Sequence, residues 1–200
     1  NSKKVLWQHR EERDIDSRAL CLYPGRIYAF RSEDYLTCID AKTGQDLWRK
    51  TRTTAPELFS ELGESLPRQD WRTNWRTTTY LKATEKALYF AGPTMSKLLA
   101  VSAEDGRVLW QHPYSNYQIV VTEDALYGIG GQIDQDPARV FDPLTGKVIK
   151  EIPFARRACT RVTGGVDALF CRASDGSTRF DLESKTPELM SPMRPNCHDG

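Results

Sequence analysis

The sequence predicts an all-β fold made of repeated four-stranded antiparallel sheets, and three observations carry that prediction. The first is a recurring pattern of strand, tight turn and strand. It runs YLTCIDAKTGQDLWRK over 35–50, KLLAVSAEDGRVLWQH over 97–112 and ARVFDPLTGKVIKEI over 138–152. A degraded copy without the glycine, STRFDLESKTPELM, occupies 177–190. The second is the spacing: Trp7 to Trp48 is 41 residues, Gly106 to Gly146 is 40 and Asp142 to Asp181 is 39. A period near 40 residues is the length of one propeller blade. The third is a short strand ahead of each copy: GRIYAF, KALYFAG, DALYGIGG and DALFCRA.

In chain order, KKVLWQH at 3–9 reads as the tail of an earlier copy. Blade one covers about 16–50, with strands expected over 16–23, 25–31, 35–40 and 45–50. An insertion follows over 51–76, where Pro56 starts a short helix presenting Leu58 and Leu62 on one face. Blade two covers about 77–112, blade three 117–152 and blade four 159–190. Residues 191–200 are expected to enter a fifth blade. The chain thus reads as one partial β-propeller over 1–200. It is expected to be an open run of about four blades from a seven- or eight-bladed ring, whose raw faces pair with the remaining blades or with another chain.

Each part of the motif has a physical reason. Asp40 and Asp142 can accept backbone N–H bonds inside their own turns, and Gly44, Gly106 and Gly146 supply positive φ. Trp7, Trp48 and Trp110 bury a large apolar area between neighbouring blades, and Ile149 is expected to take that slot in blade three.

Composition excludes several classes. The net charge is +1, so no global field attracts nucleic acid or a membrane. No apolar run approaches the roughly 20 residues that span a bilayer. None of the five cysteines forms a CxxC pair, which argues against a zinc knuckle or a redox motif. Cys159 and Cys197 lie 38 residues apart, one repeat. They form a disulfide if their Cα atoms come within about 7 Å, and are otherwise buried thiols.

IDAKTGQDLW, VSAEDGRVLW and FDPLTGKVIK resemble the tryptophan-docking repeat of the PQQ-like, quinoprotein-type β-propellers. RTNWRT, RRACTRVTGGVDALFCR and SPMRPNCHDG resemble large PQQ-like repeat proteins of planctomycetes. The resemblance implies either a dehydrogenase holding pyrroloquinoline quinone (PQQ) and calcium, or a non-catalytic assembly protein. The enzymes carry a vicinal Cys–Cys pair that is missing here, and their Asp base and calcium ligands match no motif. Within this chain no cofactor is therefore expected; PQQ and calcium would belong to the full protein.

Loops leading from one blade to the next are rich in arginine, whose planar fork suits oxyanions. Arg72, Trp75, Arg76, Arg156, Arg157, Arg161 and Arg194 are the candidate ligand-binding residues, for an anionic glycan, a small molecule or a protein surface. Arginine pairing with nearby acids is the competing reading. No catalytic or metal-binding residue is assigned. The expected function is a binding or assembly module outside the cytoplasm, periplasmic or extracellular. The alternative is a segment of a PQQ- and calcium-dependent alcohol or sugar dehydrogenase.

Overall fold

The structure is a computed structural model describing residues 4–12, 15, 17–32, 34–62, 79–92, 95, 97–113, 118–122, 124–130, 138–154, 156, 161–172 and 176–191. The chain divides into two compact units, Asn1–Ser115 and Asn116–Gly200.

Unit 1 contains two four-stranded antiparallel meanders. The first comprises β1 (Leu20–Tyr23), β2 (Arg26–Arg31), β3 (Tyr35–Asp40) and β4 (Asp46–Thr51). A helix, α1 (Pro56–Leu62), follows. The second sheet comprises β5 (Tyr80–Ala83), β6 (Ala87–Ala91), β7 (Leu98–Ser102) and β8 (Val108–His112). Leu58, Phe59 and Leu62 of α1 are buried and join Phe30, Leu36, Phe90 and Leu99 in one core. Burying each such side chain stabilises by roughly 1.5–3 kcal/mol, so the insertion helix is part of the unit's core. Phe30 and Phe90 meet edge to face at 5.3 Å.

Unit 2 repeats the arrangement. One sheet holds β9 (Gln118–Val121), β10 (Leu126–Ile129), β11 (Ala138–Phe141) and β12 (Val148–Ile152). The other holds β13 (Thr163–Gly164), β14 (Ala168–Arg172), β15 (Ser177–Asp181) and β16 (Pro187–Ser191). Ile129, Val140, Phe154, Leu169, Cys171 and Phe180 share its core.

One inner strand is shorter than expected. In place of a strand over 16–23, Ser17–Ala19 form a 3-10 turn and the strand begins at Leu20. Among the described residues blade four's inner strand is Thr163–Gly164; Cys159, the start expected from the sequence, lies outside them. A Cβ on Gly164 would stand 2.6 Å from Val120 Cγ1, so only glycine allows this close approach to β9.

The repeat turn is the same in all four sheets. Asp40 N donates to Gln45 O and Gly44 N to Asp40 O; the pairs Ser102/Arg107, Gly106/Ser102, Asp142/Lys147, Gly146/Asp142, Asp181/Thr186 and Lys185/Asp181 repeat these bonds. Gly44, Gly106 and Gly146 take φ of 74°, 75° and 69°, and Lys185 takes the same place at 61°. Three sheets also carry a β-bulge at one repeat position, between Cys38/Ile39, Ala100/Val101 and Val140/Phe141.

That bulge corrects the expectation for Ile149. Trp48 stands opposite Cys38 and Trp110 opposite Ala100, with Leu47 and Leu109 as the extra residues. In blade three Lys150 stands opposite Val140, and Ile149 is the extra residue, 55% exposed. The tryptophan slot there belongs to Lys150.

Candidate functional site

The Asp–Gly turns lie at one end of the sheets. At the opposite end, β2 passes to β3, β10 to β11 and β14 to β15, and each sheet's last strand leads onward. The two ends differ in chemistry.

The turn carboxylates serve their own turns. Asp40 Oδ1 accepts from Lys42 N at 2.9 Å, Thr43 N at 2.8 Å and Thr43 Oγ1 at 3.0 Å. Asp142 Oδ1 accepts from Leu144 N, Thr145 N and Thr145 Oγ1 in the same way. Asp181 Oδ1 accepts from Glu183 N and Ser184 N. Led by the backbone N–H of Thr43 and of Thr145, these bonds hold Asp40 and Asp142 below the usual carboxylate range. Asp181, held first by the Ser184 N–H, lies at about 2. Blade two exchanges the two side chains. Ser102 Oγ accepts from Glu104 N and Asp105 N, while Asp105 accepts from Arg107 N.

The tryptophans reach across to the next repeat. Trp7 Nε1 donates to Ala41 O at 3.0 Å, and its ring covers Gly44. Trp48 Nε1 donates to Ala103 O at 3.2 Å, and its ring edge lies over Gly106. Tyr28 Oη and Arg26 donate to the same Ala103 carbonyl. Trp110 is buried, with its ring 6.3 Å from Tyr89, as Trp48 is from Tyr28.

In unit 1, Arg31 and Arg49 are paired with acids. Glu11 pairs with Arg31, Arg49 and His9, and Asp34 and Asp46 take the same two arginines. Burial opposes ionisation of Glu11, but hydrogen bonds from His9 and Tyr35 outweigh it and lower its pKa. Burial, then the bond to Glu11, pushes the Tyr35 hydroxyl up to about 12. Arg49 stacks on the Tyr35 ring at 3.9 Å, and Lys97 pairs with Glu61 of α1.

Unit 2 is different. Its described acids Asp124, Asp142, Asp167, Asp181, Glu183 and Glu188 all sit at or next to the turn end. At the opposite end stand Arg139, Arg156, Arg161 and Arg172, with Glu151 bonded to Arg139. Arg156 is 2% exposed, and its Nε donates to Ile129 O at 3.4 Å. Arg172, which the sequence does not single out as a binding residue, is 4% exposed. Arg161 is exposed. Cys171, beside Arg156, is pushed up to about 12 by burial, which makes it a poor nucleophile.

Of the candidate ligand-binding residues, Arg72, Trp75, Arg76, Arg157 and Arg194 lie outside the described residues, as do Cys159 and Cys197. Cys21, Cys38 and Cys171 are free thiols. Among the described residues no group of three or more His, Cys, Asp and Glu converges, and no helix is long and apolar enough to cross a membrane. The repeat aspartates, committed to their turns, do not fit a resident calcium and quinone.

Four-stranded meanders in tandem, each joined to the next through a tryptophan in unit 1, define a β-propeller repeat protein. The chain belongs to the PQQ-like repeat family described as outer membrane protein assembly factor BamB, whose family model matches residues 1–126. BamB from Moraxella catarrhalis is similar in fold, with a TM-score of 0.64 at 13% identity; the likeness covers 92% of this chain and 52% of that one. The chain therefore spans about half the length of that structure. The computationally designed Ika4 protein has a TM-score of 0.59 at 11% identity, covering 91% of this chain and 99% of its own. Hydrazine synthase from Kuenenia stuttgartiensis has 0.56 at 10%, covering 92% and 51%. At these identities the likeness concerns the fold alone. No curated protein matches by sequence.

Proposed function

We propose that the chain is a non-catalytic binding or assembly module of the PQQ-like propeller type, acting outside the cytoplasm in the periplasm or an extracellular space. The family match over residues 1–126 carries this reading. The commitment of Asp40, Asp142 and Asp181 to backbone N–H groups supports it, because each would have to leave its turn to act as a base or ligand. The partner is a protein surface or an anionic ligand met at the arginine-bearing end of unit 2. Further blades, from the same protein or another chain, complete the ring. The dehydrogenase alternative needs its calcium ligands and base from residues outside those described.

The test adds PQQ and calcium to the purified chain and follows quinone absorbance and dye-linked alcohol or sugar oxidation. No turnover is expected; sustained oxidation overturns the module reading.

A further inference from the structure

Arg172 closes β14 and is 4% exposed, yet its side chain has no hydrogen bond or ion pair among the described residues. A guanidinium keeps its charge under all physiological conditions. Burying that charge without a counter-ion costs several kcal/mol per ion, so a buried, unpartnered guanidinium calls for an anion.

The surroundings narrow the choice. Tyr127 stands opposite Val140 in one sheet of unit 2, and Phe170 opposite Arg179 in the other, each two residues before the turn aspartate. By this register Ile129 is the repeat equivalent of Arg172. It is the Ile129 carbonyl that receives Arg156 Nε. Arg156 therefore lies on the face of β14 that carries Leu169 and Cys171, and Arg172, the next residue of the extended strand, points to the other face, where Arg156 offers it nothing. The described acids of the unit lie toward the other end, apart from Glu151, which Arg139 engages.

We infer that Arg172 is the centre of an anion-binding site in unit 2, taking a small oxyanion of the carboxylate or phosphate class. The site gives the proposed binding module a ligand class and rests on that reading only for its biological setting. The sources of such an anion are a free ion or a carboxylate compound; an internal pair with Asp175, which lies outside the described residues, is the competing outcome.

The experiment measures the melting temperature of the full chain against rising inorganic phosphate, and separately glutarate, at constant ionic strength set with chloride. The variants are R172Q, R172K, D175N and, as a control at an exposed arginine of unit 1, R107Q. A saturable rise in the native chain and in R107Q is expected. R172K should bind about tenfold more weakly, because an ammonium cannot reproduce the two-toothed fork, and R172Q should show no rise. Should R172Q fail to fold, R172K decides. Equal response of the native chain to phosphate, glutarate and chloride overturns the site. So does an R172K titration identical to the native one, or a saturable rise that appears in D175N and not in the native chain, which would make Asp175 the partner of Arg172. Oxidative turnover with PQQ would overturn the module reading and leave this site standing, so the two failures are distinguishable.

Discussion

The Trp48 indole N–H donates to the carbonyl of Ala103, 55 residues along the chain, at 3.2 Å. Trp7 makes the equivalent bond to Ala41, 34 residues away. Ala41 and Ala103 each follow the residue that opens the repeat turn, Asp40 and Ser102. One bond thus ties the outer strand of a repeat to the turn of the next.

Replacing Trp48 tests how much that link contributes. W48F keeps an apolar ring and loses the donor, but Tyr28 and Arg26 still satisfy Ala103 O. The expected loss is about 1 kcal/mol. W48A also leaves a void; because Trp48 is only partly buried, about 2–4 kcal/mol is expected, below the full value for a core tryptophan. Urea denaturation of both variants reads the difference, and equal midpoints would show that the indole is not a joint.

Glycine substitutions separate backbone strain from contact. Gly25 has φ of 79°, and an added Cβ would meet nothing within 4 Å, so G25A costs about 1 kcal/mol from strain alone. Gly44 has φ of 74°, and an added Cβ would stand 2.5 Å from Trp7 Cδ2. G44A should therefore lose more stability than G25A, red-shift tryptophan emission and expose the 4–12 segment to protease. Equal behaviour of the two variants would remove Trp7 from its assigned place.

Lys185 occupies the left-handed position that glycine holds in the other three turns, at φ 61°. Relieving that strain in K185G should stabilise unit 2 by about 1 kcal/mol. K185A, which keeps the strain, should stay within about 0.5 kcal/mol of the native chain. Denaturation midpoints check the pair, and K185G falling with K185A would refute the strain account.

Acid should loosen the turns in a defined window. Asp181 lies at about 2 in the folded chain, lowered from an ordinary value near 4, and Asp40 and Asp142 are lowered too. A depressed folded pKa gives stability that is complete above the unfolded value and is lost as pH falls through the folded one. Melting temperature should accordingly decline between about pH 4 and pH 2. D181N should flatten part of that decline, and a variant with an unchanged acid profile would contradict the turn assignment.

Much of this architecture is legible in the residues. The Asp–Gly turns, the 40-residue period and the α1 helix rest on local rules: a carboxylate that can reach N–H groups two and three residues on, a glycine at positive φ, and a proline at a helix start. Ile149 falls into the wrong slot when apolar character is matched in place of spacing: Trp48 and Trp110 stand four residues after Gly44 and Gly106, and Lys150 stands four after Gly146. Arg172 escapes such a reading because nothing local marks an arginine as buried. Its burial depends on what packs over the end of β14.

VLWQH occurs twice. At 108–112 it is strand β8, paired along β7. At 5–9 the same five residues carry no strand pairing among the described residues, and Val5 and Leu6 are each 72% exposed. The sequence by itself determined the repeat, its turns and the tryptophan that joins one repeat to the next, because those depend on contacts within a few residues or on a fixed period. Only the tertiary structure decided which copy is a strand and which arginine is buried. Those outcomes depend on neighbours distant in sequence, whose backbone groups either meet a chain's own N–H and C=O or leave them to water.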